Sequence, residues 1–242
     1  MRHKRVLICR AKLFSCDFFK KIIVKDSFII DIGANTGDLT VPIAIAAGEG
    51  SLILALDPNP QVFKILEANS KLNKTKATIV PFLFAATEVE SEFYFASSEA
   101  SFSNGALIAD KSDNSHGKFK LEEKVKGVNL QDYLYENYSE WVSKISFIKV
   151  DTEGNDLKVL KTLVSIIAQY KPTIVAEIFT TLTLQERNDM FFFFKSHGYF
   201  IYDISHIDFL GGVKPVLVKN ENDMAKPGIA SNLLATKDVW KF

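Results

Sequence analysis

FIIDIGANTGDLT, residues 28–40, decides the architecture. Phe28 to Ile32 is apolar except for Asp31, the composition of a strand buried on both faces, and it runs straight into a turn with glycines at 33 and 37. A helix from about Thr36 to Ala47 follows, so the stretch reads strand, tight turn, helix. Glycine lets the backbone bend sharply and approach a ligand closely, and the start of a helix presents free N–H groups. A carboxylate on a buried strand needs a partner, and an acid ahead of such a turn can hold a cation such as an amino group. The spacing D-x-G-x-N-x-G lacks the third glycine of the G-x-G-x-x-G turn that packs under a pyrophosphate. Asp31, Gly33, Ala34, Asn35, Thr36 and Gly37 are therefore candidate cofactor contacts, in a turn better suited to an amino-acid-bearing nucleoside than to a dinucleotide.

The same alternation continues outward from this stretch. Leu52 to Leu56 is a second apolar strand, closed by Asp57-Pro58-Asn59, and Pro60 opens a helix over Gln61 to Leu72, where its missing N–H costs nothing. Strands are expected at Ala77 to Phe84, Glu92 to Ala96, Ile145 to Val150, Thr173 to Ile178, Tyr199 to Ile204 and Ala230 to Thr236. Helices are expected at Asn129 to Tyr138, Leu157 to Gln169 and Leu184 to Ser196. Strands alternating with helices at this spacing imply a doubly wound α/β sheet with helices on both faces, which binds ligands beyond the carboxyl ends of its strands. Residues 97–127 are rich in Ser, Asn, Gly, Lys and Glu with little periodicity, and read as a loop or lid inserted over that site.

Composition narrows the function classes. An apolar fraction of 47% supports a sizeable core, and 242 residues fit one large domain, taken as 26–242. Lys and Arg total 29, as do Asp and Glu, so global charge draws the chain to neither nucleic acid nor anionic lipid. That balance conceals a basic segment: residues 1–25 carry eight Lys and Arg against Asp17 alone, giving +7, and the remainder carries −7. The segment reads as a partly helical arm, with Phe14, Phe18, Phe19, Ile22 and Ile23 packed on the body. Cys9 and Cys16 match neither a redox pair nor a zinc site, and His3, His116, His197 and His206 have no metal-ligand spacing, although His116 lies in the long loop and could reach a site. No metal is expected. Val6 to Cys9 is too short for a signal-peptide core and no run is long enough to span a membrane, so a cytoplasmic location is expected.

Further acids fall at strand ends. Asp57 lies 24 residues after Gly33, where a carboxylate can accept hydrogen bonds from both ribose hydroxyls, with Asn59 beside it. Nicotinamide enzymes and methyltransferases share that device, so Asp57 supports an adenosine ligand without choosing between them. Asp151 and Glu153 flank Thr152 after a buried strand; carboxylates this close raise each other's pKa, which makes one a candidate base for a hydroxyl, while Asn155 or Asp156 can cap the following helix. Glu177, inside the apolar TIVAEIF, must meet a partner or open into a pocket.

Taken in order, FIIDIGANTGDLT, LALDPNP, PFLFAAT, VKGVNLQDYL, ISFIKVDTEGNDLKVL, PTIVAEI, FFKSHGYFIYDI and SNLLATK resemble the FkbM family of S-adenosylmethionine-dependent methyltransferases, over about Phe28 to Thr236. The resemblance implies a class I methyltransferase fold, a seven-stranded, mostly parallel sheet, and O-methylation of a hydroxyl on a sugar, glycan or small metabolite. It implies that Asp31, Gly33, Asn35 and Gly37 face the methionine part of the cofactor, Asp57 the ribose, and Phe84-Ala85-Ala86 the adenine. Asp151 and Glu153 would sit by the methyl group and acceptor, with Glu177 binding substrate hydroxyls. Asp57 stands where the family more often has Glu, Gln131 where it has an acid, Asn129 where it has Thr, and Asp156 where it has Glu. The rival readings are a nicotinamide-dependent oxidoreductase, and a methyltransferase-like binding module without turnover.

Overall fold

The computed structural model describes residues 13–72, 77–100, 102, 105–114, 116–205 and 215–240, with side chains from residue 17 onward. Most of the basic arm, both cysteine side chains and His206 lie outside the described residues. The strands are β1 (Phe28–Ile32), β2 (Leu52–Leu56), β3 (Thr78–Phe82), β4 (Ala85–Thr87), β5 (Ser91–Ser97), β6 (Ala106–Ile108), β7 (Phe119–Lys120), β8 (Val125–Asn129), β9 (Ile145–Val150), β10 (Thr173–Ile178), β11 (Phe200–Asp203), β12 (Val216–Val218) and β13 (Ser231–Thr236). The helices are α1 (Leu13–Ile22), α2 (Thr40–Ala47), α3 (Pro60–Leu72), α4 (Leu130–Asn137), α5 (Ser139–Val142), α6 (Asp156–Thr162), α7 (Val164–Tyr170) and α8 (Leu184–Ser196).

The main sheet has the order β12-β11-β13-β10-β9-β1-β2-β3. From β3 to β10 neighbouring strands are parallel, whereas β13 is antiparallel to β10 and β11, and β12 is antiparallel to β11. The sheet is therefore mixed, and β12 adds an eighth strand to the seven expected. Strand order reverses between β1 and β9, the switch point where a ligand crevice opens in such sheets.

Alternation along each central strand explains why both faces are covered. Phe28, Ile30 and Ile32 of β1 pack, with Leu52, Leu54, Leu56, Ile148 and Val150, against a core that includes residues of α4, α6, α7 and α8. Ile29, Ile53, Phe147 and Val175 point the other way, onto Phe19, Ile22 and Ile23 at the α1 end and Ile43, Ala44 and Ala47 of α2. Phe19, Ile22 and Ile23 thus pack on the body as expected. α8 is fixed at its start by a capping box in which Thr183 and Glu186 each bond the other's backbone N–H, worth about 1 kcal/mol.

Two local expectations differ from the structure. Residues 97–127 are not without elements: β6 and β7 pair antiparallel with β5, and β8 joins β5 to β4, giving a second small sheet beside the site. The helix expected over Leu157 to Gln169 is two short helices broken at Leu163, whose N–H bonds back to Leu160 O. Among the described residues no helix is long and apolar enough to cross a membrane.

Candidate functional site

A cleft of about 780 Å³ opens at the carboxyl ends of β1, β2 and β9, lined by Gly33, Asn35, Asp57, Asn59, Ala85, Asp151 and Glu153 among others. Phe84, Phe95 and Leu107 supply apolar surface to the same space. Phe95 of the small sheet and Gly105, Ala106 and Leu107 of the 97–127 segment line it on one side.

The turn after β1 is built differently from a phosphate cradle. Gly33 and Ala34 both donate their N–H to Leu56 O at 2.9 Å, Asn35 N–H donates to Asp57 Oδ2 at 2.8 Å, and Thr36 N–H is held by Asn35 Oδ1 at 2.7 Å. Four successive amides are thus engaged within the protein. The helix α2 begins only at Thr40, later than the expected Thr36, so its N-terminus lies beyond the turn. Gly33 has φ +75°, and a Cβ there would lie 1.8 Å from Asp151 O: this glycine is what allows β1 and β9 to converge. Gly37, at φ +82°, packs against Leu66, and Ala34 is buried beside Ala55 and Leu66.

Asp57 is the best-anchored acid in the cleft. Its Oδ2 accepts from Asn35 N and its Oδ1 from Asn59 N at 2.9 Å, which fixes the carboxylate while leaving each oxygen a further lone pair for a hydroxyl. Burial outweighs these bonds and pushes its pKa up to about 6. Asn59 donates through Nδ2 to Phe102 O, tying the 97–127 segment to the end of β2.

Asp31 does not line the cleft; its side chain is fully enclosed. The period of the strand explains this, because Asp31 shares the α2-side face with Ile29, and its Oδ2 accepts from Thr40 Oγ1 at 2.6 Å. Its cation is Lys149 of β9, its register partner, with Nζ 3.4 Å from Asp31 Oδ1 and 3.4 Å from Asp151 Oδ2. Burial pushes the Asp31 carboxyl up while Lys149 and Thr40 pull it back down. Burial alone would lower the ammonium of Lys149, but the surrounding Asp151, Asp31 and Asp38 carboxylates raise it above its ordinary value. Lys149 escaped the sequence reading; its signal was a lysine inside the apolar ISFIKV, one strand away from an acid that needed a partner.

Asp151, Glu153, Asp156 and Glu177 gather where β9 and β10 end. Asp156 is the structural member: Oδ2 accepts from Thr152 N and Oγ1, Oδ1 accepts from Glu177 N, and burial raises its pKa to about 6. It holds the turn, whereas Asn155 sits at the N-cap without a side-chain capping bond, its Oδ1 accepting instead from Lys158 Nζ at 3.3 Å. Burial, then Asp151 and Asp156, raises Glu153, whose backbone sits at φ +54°, a strained conformation for a non-glycine residue beside a cleft. Glu177 does not line the cleft itself; it hydrogen-bonds the Asp151 side chain, and burial followed by Asp151, Asp156 and Glu153 pushes its pKa up to about 9. Past Glu153 and Gly105 the cleft continues into a hollow of about 630 Å³ lined by Ser98, His116, Phe179 and Thr181, which brings His116 to the site. Among the described residues no cluster of His, Cys, Asp and Glu is arranged to hold a metal.

Glu177 gives a stability prediction with a definite sign. Its folded pKa lies above the unfolded value near 4.5, so the folded state holds a proton that the unfolded chain releases, and stability falls as pH rises from about 4.5 through about 9. Glu177→Gln removes that loss. At pH 8 the variant should be more stable by on the order of 2 kcal/mol, and the gain should vanish near pH 4.5, as read by urea unfolding at the two pH values.

Of the departures from the resembled family, Asn129 has a structural role and Gln131 has none that the described contacts show. Asn129 caps α4, accepting from Asp132 N at 3.2 Å as a Thr could, and also donates to Glu88 O at 2.9 Å. Gln131 Oε1 is buried with no hydrogen-bond partner among the described residues.

A family model described as the methyltransferase FkbM domain matches residues 31–201. A curated relative from Pyrobaculum aerophilum, described as "Probable cobalt-precorrin-6B C(15)-methyltransferase (decarboxylating)", is 29% identical over 70 residues, 29% of this chain and 36% of that protein. The match thus spans about a third of that relative's length. Among solved structures, methyltransferase FkbM from Methylobacillus flagellatus KT is 12% identical with a TM-score of 0.48, covering 90% of this chain and 47% of the other. Precorrin-6y C5,15-methyltransferase from Geobacter metallireducens GS-15 is 13% identical with a TM-score of 0.47, covering 96% and 87%. With the family match extending from Asp31 in the first turn to Ile201 in β11, the chain belongs to the FkbM methyltransferase domain family.

Proposed function

We propose that the chain transfers a methyl group from S-adenosylmethionine to a hydroxyl oxygen of a small metabolite or glycan. The observation that carries this reading is the engagement of the amides of residues 33–36 within the protein beside a doubly anchored Asp57. The cleft offers a ribose acceptor and acidic walls but does not turn these amides toward a pyrophosphate, which favours a cationic nucleoside over nicotinamide dinucleotide. Asp57 would hold the ribose hydroxyls, Ala85 and Phe84 the adenine, and the Gly33–Asn35 turn with Asp151 the amino-acid end.

The cofactor supplies an activated methyl on a sulfonium, so the protein must hold an acceptor in line, exclude water and take up one proton. Methyl transfer to the acceptor oxygen would leave the hydroxyl proton to be taken up by a carboxylate of the cleft. Asp151 is the residue for that proton, since it faces the cleft with a side chain 40% exposed. Glu153 lines both the cleft and the hollow of Ser98 and His116, which supports an acceptor bound in that hollow with the 97–127 segment as its lid.

Incubating the protein with tritiated-methyl S-adenosylmethionine and fractionated lysate, then identifying the labelled product, tests the assignment. Asp151→Asn is expected to weaken cofactor binding and, with the cofactor kept saturating, to lower turnover about 100-fold or more, within the usual contribution of a positioned base. Full turnover in that variant would remove Asp151 from the mechanism.

A further inference from the structure

The centre of the site holds a cation that the reading above does not use. Lys149 Nζ has three protons, and three oxygens surround it: Gly33 O at 2.7 Å, Asp31 Oδ1 at 3.4 Å and Asp151 Oδ2 at 3.4 Å. Gly33 belongs to the cofactor turn, Asp31 to the enclosed face of β1, and Asp151 to the open cleft. One ammonium is therefore shared by two carboxylates. Asp31 is the one with no access to solvent, and among the described residues its Oδ1 has no hydrogen bond, so its charge depends on Lys149. The surplus negative charge of the triad then falls on the carboxylate that faces the cleft.

Among the described residues, the other charged groups that act on this centre are acids. Asp38 acts on Lys149 from beyond the first turn, Glu177 of β10 bonds Asp151, Glu153 and Asp156 stand at the following turn and α6, and Asp57 closes β2. Without a fixed cation, neighbouring carboxylates at this density share protons rather than ionise together. A proton shared within the cluster would have to leave before a cationic ligand could be received there.

We propose that Lys149 is a positioning residue that places the uncompensated negative charge of the cleft on Asp151, so that the cationic end of the cofactor, its sulfonium and α-ammonium, is received at that carboxylate. This rests on the methyl-transfer reading, and it replaces Asp31 by Asp151 as the acid facing the methionine part. Glu177, whose carboxyl is pushed up by burial and the neighbouring acids, stands beside Asp151 in the same cluster. Lys149 also holds Gly33 O, which aligns the turn and the carboxylate together.

The test is calorimetric titration with S-adenosylmethionine and S-adenosylhomocysteine in two buffers of different ionisation enthalpy, which counts protons released on binding. Lys149→Met is expected to release about one proton more than the wild type at pH 7.5. Its preference for S-adenosylmethionine over S-adenosylhomocysteine should fall about tenfold at pH 6.5 and recover near pH 9. Because Lys149→Met leaves Asp31 charged and enclosed, the double variant Asp31→Asn/Lys149→Met is measured beside it and should behave alike, while Lys149→Arg should keep the wild-type proton count. A purely structural lysine would change stability and affinity but not proton count. If wild-type protein binds neither ligand, the methyl-transfer reading fails. If wild type binds and the double variant releases the same number of protons with the same pH dependence, the assignment of Lys149 is overturned and the reading stands.

Discussion

Gly33→Ala is expected to eliminate S-adenosylmethionine binding at millimolar ligand and to lower stability by about 3 kcal/mol. The added Cβ would sit 1.8 Å from Asp151 O and 2.9 Å from Asp151 C, well inside van der Waals contact and against backbone on both counts. No rotamer can relieve a Cβ clash, so the turn must move away from β9. The positive φ adds about 1 kcal/mol of local strain, and overpacking of this kind costs roughly 1–3 kcal/mol more. Movement of the turn would break the Gly33 and Ala34 bonds to Leu56 O and the Lys149 bond to Gly33 O together. Ligand binding should suffer more than folding, because the strand pairing of β1 lies behind the turn. Calorimetry and thermal unfolding measure both; a variant with wild-type affinity would mean that the convergence of the two strands does not shape the site.

Arg187→Met is the second large effect, expected to cost more than about 4 kcal/mol and to lower the melting temperature by more than about 10 °C. Arg187 is fully enclosed, and its donors reach five backbone carbonyls: Leu182 at 2.9 Å, Phe179 at 2.9 Å, Thr180 at 3.1 Å, Ile229 at 3.0 Å and Ala225 at 3.1 Å. These belong to the loop after β10 and the loop before β13, so one side chain from α8 knits two connections that have no strand pairing of their own. A buried acceptor left without a donor costs about 1–3 kcal/mol, discounted here because water will reach some of the five once the loops loosen. Lys keeps the charge but has three protons and no planar fork, and Arg187→Lys should lose about half as much. Phe179 and Thr181 line the hollow beside Glu153, so loosening this loop should also weaken acceptor binding. A melting temperature within about 3 °C of wild type for Arg187→Met would refute this account of the clamp.

Much of this architecture could be read from residues 28–40 and the alternation that follows, for a local reason. β1, β2, β9, β10 and α8 are marked within their own residues, by continuous apolar runs or by a capping Thr183, and their bounds agree with the structure. What was not legible depended on partners distant in sequence. β6, β7 and β8 are two to five residues long and acquire their identity from pairing with β5, or in β8 also with β4, which no local period reveals. The break at Leu163 carries no Gly or Pro, since both flanking helices bury apolar residues and the period runs on across it.

At the candidate site, the sequence pointed to the turn and the strand ends that line the cleft but not to the directions of the side chains. Asp57, Asp151 and Glu153 come together in one cleft, whereas Asp31, one period-2 step from Ile29, turns to the opposite face and pairs with Lys149. The alternation that identified β1 as buried on both faces already contained that direction. Arg187 was hidden for another reason: an Arg on an amphipathic helix ordinarily marks the solvated face, and here its donors meet carbonyls from two loops whose proximity is tertiary.

Binding of the nucleoside cofactor is the claim on which the rest depends. Calorimetric titration of the wild-type protein with S-adenosylmethionine, and separately with NADH, measures it directly. The account predicts one saturable site for S-adenosylmethionine and no heat of binding for NADH. Saturable NADH binding with none for S-adenosylmethionine would contradict it and return the Asp57 cleft to the oxidoreductase reading.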